Sequence, residues 1–221
     1  MKLSISSFSA VIFDMDGVLI DSEPLWKIAM EEVFKSVGCP LTRQDFQKTV
    51  GLRLDEVIEY WYEHTGWLHK TPKEVESAIV QKMIELLKAN GTPLKGVIET
   101  LDYLKTNGKK IGLATSSYSV LIDTVLDVLE IRNYFDFTHS AEDETHGKPH
   151  PAVYLTVANK LNTQPKNCLV IEDSLNGIIS GKAARMKVVC IPEKTHTPEP
   201  KLSLADFQFD DMLLFLNHIN H

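Results

Sequence analysis

Two carboxylates one residue apart, Asp14 and Asp16, precede Gly17 in the run Asp14-Met-Asp16-Gly17-Val-Leu-Ile-Asp21. A carboxylate acts as nucleophile or as acid/base according to its surroundings, so a close pair can divide the two roles. Gly17 lets the chain turn sharply around a ligand, and repulsion between the two charges favours a bound cation. A calcium loop of the EF-hand type is excluded. That motif needs Gly at its sixth position and Glu at its twelfth, where this chain has Leu19 and Leu25.

Three more polar clusters follow. Thr115-Ser116-Ser117 offers hydroxyls and backbone N–H groups at the start of a helix, a place suited to an anion, although Ser and Thr also serve there as ordinary caps. Gly147-Lys148-Pro149-His150-Pro151 places a lysine on a loop leading into a helix. It is not a P-loop, because the upstream glycine is missing and Pro149 stands where Ser or Thr is needed. Ile171-Glu172-Asp173-Ser174, with Asn176-Gly177 beyond it, brings two hard oxygen ligands of the kind magnesium takes. Alone, Asp173 or Ser174 could simply cap the next helix.

Each cluster ends or follows an apolar run of strand length. Ala10-Val-Ile-Phe13 is too short for a helix and stops at Asp14. Residues 110–115, 135–139, 168–172 and 187–191 read as further strands. Helices are predicted over residues 97–106, 119–129, 152–161 and 177–184, with a last one near 210–217 after a polar, proline-bearing loop at 192–200. Strands nearly continuous in apolar residues and alternating with amphipathic helices specify a doubly wound α/β fold around a parallel sheet. In such sheets ligands bind at the carboxyl ends of the strands.

Between Ser22 and about Asn90 the periodicity is helical, with no strand. Ser22 reads as the cap of a first helix with Pro24 in its first turn, closed by Gly38 and Pro40. A second helix covers residues 54–64. A third starts at a capping box, Thr71-Pro72-Lys73-Glu74, and presents Val75, Ile79, Met83, Leu86 and Leu87 on one face. This helical insert ends near Gly91-Thr-Pro93.

The chain has 221 residues, 43% of them hydrophobic, enough for one main fold with an insert. Its net charge of −7, without a basic run, gives no footprint for nucleic acid. Cys39, Cys168 and Cys190 form no CxxC pair and read as reduced structural residues. Neither a signal-peptide pattern nor an apolar stretch of membrane-spanning length is present. The expectation is a cytoplasmic, soluble monomer with no membrane partner.

Taken in order on a parallel α/β core, the four clusters resemble the haloacid dehalogenase superfamily along essentially the whole chain. Within it, the chain resembles the sugar-phosphate and hexitol-phosphate phosphatases related to β-phosphoglucomutase. The resemblance implies a Rossmann-like core, residues 1–21 and 93–221, with a helical cap of residues 22–92 that closes over it and chooses the substrate. It makes Asp14 the nucleophile on phosphorus and Asp16 the acid that protonates the leaving alcohol and then activates water. Magnesium would be held by Asp14, the Asp16 carbonyl and Asp173, with Glu172 beside them. Lys148 and Thr115 would neutralise and hold the transferring phosphoryl group.

Ser116 and Asn176 are further substrate contacts on this resemblance. Trp26 reads either as a substrate contact or as cap packing, and Arg53 either as a partner for a second polar group of the substrate or as half of a surface ion pair. The partner implied is a small phosphorylated metabolite. Transfer to a second sugar phosphate, as in β-phosphoglucomutase, is the alternative to hydrolysis. Those mutases carry a histidine where this chain has Trp26, which favours water as the acceptor. A purely binding role is disfavoured because Asp14, Asp16, Lys148 and Asp173 are all present.

Overall fold

The structure is a computed structural model that describes residues 3–49, 52–192 and 200–220. Among the described residues, six parallel strands lie in the order β3-β2-β1-β4-β5-β6. They are β1 (Ala10–Phe13), β2 (Lys110–Thr115), β3 (Phe137–Ser140), β4 (Cys168–Glu172), β5 (Lys187–Cys190) and β6 (Phe207–Gln208). Strands β1 and β4 are buried along their whole length, as a parallel strand covered on both faces must be.

Side-chain alternation sorts these strands onto two cores. Val11, Phe13, Ile111, Leu113, Leu169, Ile171 and Val189 face one side, where α5 (Val97–Thr106), α6 (Ser119–Val128) and α9 (Met212–Ile219) cover them. Ala10, Ile12, Ala114, Cys168, Val170, Val188 and Cys190 face the other, under α7 (Ala152–Lys160) and α8 (Leu175–Ala183). Cys168 and Cys190 are thus buried packing residues, and all three cysteines are free thiols.

Among the described residues, the α-helices between β1 and α5 are α1 (Glu23–Ser36), α2 (Arg43–Phe46), α3 (Leu54–Thr65) and α4 (Pro72–Asn90). The two chain segments leading to and from them meet where Ile20 bridges antiparallel to Pro93. The α4 capping box forms as expected: the Thr71 hydroxyl accepts from the Glu74 N–H while Glu74 Oε2 accepts from the Thr71 N–H at 2.7 Å. Val75, Ile79, Met83 and Leu87 form its buried stripe. These side chains join the first core, so the inserted helices and the sheet share one apolar interior. No helix among the described residues is long and apolar enough to cross a membrane.

Element ends differ from expectation where side chains intervene. Helix α8 starts at Leu175, before Gly177, because the Ser174 hydroxyl accepts from the Gly177 N–H at 3.1 Å. Strand β3 starts at Phe137 because the Asp136 carboxylate takes the Ile111 N–H at 2.7 Å. Helix α9 starts at Met212, where the Asp211 carboxylate caps the Leu214 N–H at 2.8 Å. The two-residue edge strand β6 and the one-turn α2 are too short to leave a periodic signal. Residues 193–199 of the expected polar loop, and Gly51 before Arg53, lie outside the described residues.

Candidate active site

Asp14 is the first residue beyond β1, and its N–H still donates to the Ile171 carbonyl of β4 at 2.9 Å. The sheet therefore fixes its backbone, and its side chain emerges between the ends of β2 and β4. Lys148 reaches it from the loop before α7. Lys148 is 6% exposed, and its ammonium donates to Asp14 Oδ1 at 2.6 Å, to Glu172 Oε1 at 2.7 Å and to the Ala114 carbonyl at 3.1 Å. All three of its protons are engaged.

Glu172 is fully buried, and five donors serve it. Lys148 and the Tyr154 hydroxyl donate to Oε1, the latter at 2.7 Å, while Oε2 accepts from the Asp173 N–H, the Ser174 N–H and the Ser174 hydroxyl. The electrostatics follow from burial among opposite charges. The Asp14 carboxyl is pushed up to about 7, because burial and the Glu172 and Asp16 charges outweigh the opposing pull of Lys148. At Lys148 burial alone would favour the neutral amine, but Asp14 and Glu172 outweigh it and hold the ammonium charged. Burial would raise Glu172 as well. Lys148 and the hydrogen bonds around the carboxylate overcome that and hold it below the usual range.

Asp16 turns towards the inserted helices. Its Oδ1 accepts from the Ser22 hydroxyl at 2.6 Å and the Trp26 indole N–H at 3.0 Å, and its Oδ2 from the Ser117 hydroxyl at 2.7 Å. Ser22 stands at the N-cap position of α1 as expected, but its hydroxyl makes no cap hydrogen bond and is committed to Asp16. Thr115 is buried, and its hydroxyl accepts from the Ser117 N–H at 3.1 Å, which bends the loop after β2 into a cradle.

Asp14, Glu172 and Asp173 each offer a carboxylate oxygen, all within 4.8 Å of one another. Hard oxygens so spaced fit a small divalent cation. Asp173 comes this close because Gly17, at φ +71°, has no β-carbon to collide with its carboxylate. Glu172 belongs to the cluster by position, but its lone pairs are already taken by Lys148, Tyr154 and the Asp173-Ser174 turn.

A cavity of about 180 Å³ opens on this cluster. Asp14, Asp16, Lys148 and Asp173 form its floor, with Thr115, Ser116 and Ser117 on one side. The inserted helices roof it with Trp26, Met30, Phe46, Leu54 and Val57. Of the residues singled out in the sequence, Arg53 and Asn176 stand apart. Arg53 lines a neighbouring cavity with Asp55, Lys73 and Glu142, where it pairs with Asp55 and donates to the Ala141 and Glu144 carbonyls at 3.2 Å each. Asn176 sits in the first turn of α8, outside the walls of both cavities. Tyr154 carried no sequence signal and Ser22 only that of a helix cap, since Tyr154 is recruited by a contact between elements distant in the chain and Ser22 by a turn whose shape the sequence does not announce.

Residues 11–191 match the family described as haloacid dehalogenase-like hydrolase. The chain belongs to that family. This haloacid dehalogenase-like chain is 39% identical to hexitol phosphatase B of Escherichia coli (strain K12) over 204 residues, 92% of each protein. It is 35% identical to a phosphorylated carbohydrates phosphatase of Thermotoga maritima, over 79% of this chain and 81% of that one. Among solved structures, a putative β-phosphoglucomutase from Thermotoga maritima superposes with a TM-score of 0.77 at 27% identity, covering 96% of this chain and 99% of that one. CbbY from Rhodobacter sphaeroides in complex with phosphate shares the fold, with a TM-score of 0.87 at 20% identity over 97% and 100% of the two chains.

Proposed function

We propose that this protein is a magnesium-dependent phosphatase that hydrolyses the monoester of a small sugar phosphate or polyol phosphate through an aspartyl-phosphate intermediate. The observation that carries the reading is the convergence of Asp14, Asp16, Lys148 and Asp173 on one cavity floor under a roof of inserted helices. Relatives named as hexitol and carbohydrate phosphatases support the substrate class.

On this reading residues 1–21 and 93–221 form the core and 22–92 a cap. Asp14 attacks phosphorus while Asp16 gives its proton to the departing sugar oxygen. Asp16 then takes a proton from the water that releases phosphate and restores Asp14. Lys148 and the Thr115-Ser116 loop face the charge spread over the equatorial oxygens. Asp14, the Asp16 carbonyl and Asp173 would hold the cation, which supplies charge that offsets the repulsion between carboxylate and phosphate. Glu172 acts beside them by holding Lys148. The roof excludes bulk water from the reacting groups.

The test is phosphate release from a panel of hexose, pentose, hexitol and deoxyhexose phosphates, with magnesium and with chelator. Chelation is expected to stop release, Asp14→Asn to abolish it, and Asp16→Asn to lower it by roughly 10²–10⁴. Near-wild-type turnover by Asp14→Asn would end the covalent mechanism. Isomerised sugar phosphate with little free phosphate would move the assignment to a β-phosphoglucomutase-type mutase.

A further inference from the structure

We infer that Trp26 is a positioning residue for the proton-transfer step, holding Asp16 in its working orientation and tying that orientation to the seat of the inserted helices. The inference rests on the assignment of Asp16 as acid and base made above. Ser22 and Trp26 are four residues apart on the turn that opens α1, the Trp26 N–H donating to the Ser22 carbonyl at 2.9 Å. That spacing puts both side chains on one face, and both reach Asp16 Oδ1.

The two donors are not equivalent. A serine hydroxyl can rotate and accept, whereas an indole N–H can only donate. While Trp26 is in place, Oδ1 is held as an acceptor, and Oδ2 is the oxygen free to carry a proton. Among the described residues Oδ2 meets only the Ser117 hydroxyl, which can rotate to accept from it, on the loop whose Thr115 and Ser116 line one side of the cavity. Trp26 thus leaves the proton to the Asp16 oxygen on the Ser117 side. Its ring also packs against the main core and roofs the cavity. A shift of α1 would withdraw the indole from Asp16.

In the first step the Asp14–phosphorus bond forms, the phosphorus–oxygen bond to the sugar breaks, and the Asp16 proton passes to that oxygen. In the second, water attacks phosphorus and its proton returns to Asp16, freeing phosphate and Asp14. An alkyl leaving group needs that proton, whereas p-nitrophenolate departs without one. This difference isolates a positioning role.

The experiment compares wild type with Trp26→Phe, which keeps an aromatic ring but lacks the N–H. Steady-state kinetics are measured on the best phosphate of the panel, and single-turnover nitrophenolate release on p-nitrophenyl phosphate. Melting curves are recorded for both proteins, and Trp26→Leu replaces Trp26→Phe where the latter does not fold. The expected result is a kcat on the sugar phosphate lowered roughly 10²-fold, with KM little changed and the nitrophenolate burst near the wild-type rate. An unchanged kcat, an equal fall in burst and turnover, or a rise confined to KM would each overturn the inference while leaving the phosphatase reading standing. A wild-type protein that releases phosphate from no member of the panel would end the phosphatase reading, and this inference with it.

Discussion

The carboxylate of Glu172 occupies the space that a β-carbon on Gly177 would fill. The two residues face each other across the turn from β4 into α8, where Ser174 donates to Glu172 Oε2 and caps Gly177. Glu172 therefore depends on a missing side chain to reach Lys148.

Gly177→Ala tests that dependence. Alanine inside a helix is ordinarily better than glycine by about 1 kcal/mol, so helix propensity alone predicts a more stable protein. The expected result is the opposite, a lower melting temperature and a kcat reduced about tenfold or more, because the displaced carboxylate carries the Lys148 ammonium with it. A stabilised, fully active variant would show that the Glu172 contact is dispensable.

Lys148→Met tests the buried charge arrangement. In the wild type Glu172 lies below its ordinary pKa. Its contribution to stability is thus complete above the unfolded-state value of ~4.3 and lost as pH falls through the depressed one. Without Lys148, burial is left to push Asp14 and Glu172 upward, so the variant binds more protons folded than unfolded and weakens as pH rises. Unfolding in urea should show a deficit of about 3–5 kcal/mol near neutrality that shrinks under mild acid. Adding Glu172→Gln should recover much of that stability and none of the activity.

The four polar clusters were legible because each is a short run of chemistry-bearing residues at the end of an apolar strand, and β2 and β4 fall on their expected residues. The partnerships between clusters were less visible. Nothing local says that Tyr154 will meet Glu172, since that contact depends on how α7 crosses the sheet. Ser22 looked like a cap because the residue type and the following proline suit one, but Asp16 lies within reach and takes the hydroxyl instead. Arg53 was open between substrate contact and ion pair, and the structure pairs it with Asp55 and two carbonyls across the cavity.

Those carbonyls give Arg53 a measurable role. Ala141 and Glu144 precede the loop that carries Lys148, while Arg53 opens α3 among the inserted helices. Two hydrogen bonds from a charged donor, discounted for partial solvent exposure, amount to about 1–2 kcal/mol in favour of the seated helices. Arg53→Ala should therefore raise KM for the sugar phosphate about tenfold while changing kcat far less, because the floor groups are untouched once the roof is in place. Arg53→Lys should not restore KM, since a single ammonium cannot reproduce the guanidinium fork that spans Asp55 and both carbonyls. A fall in kcat with KM unchanged would instead place Arg53 in the transition state.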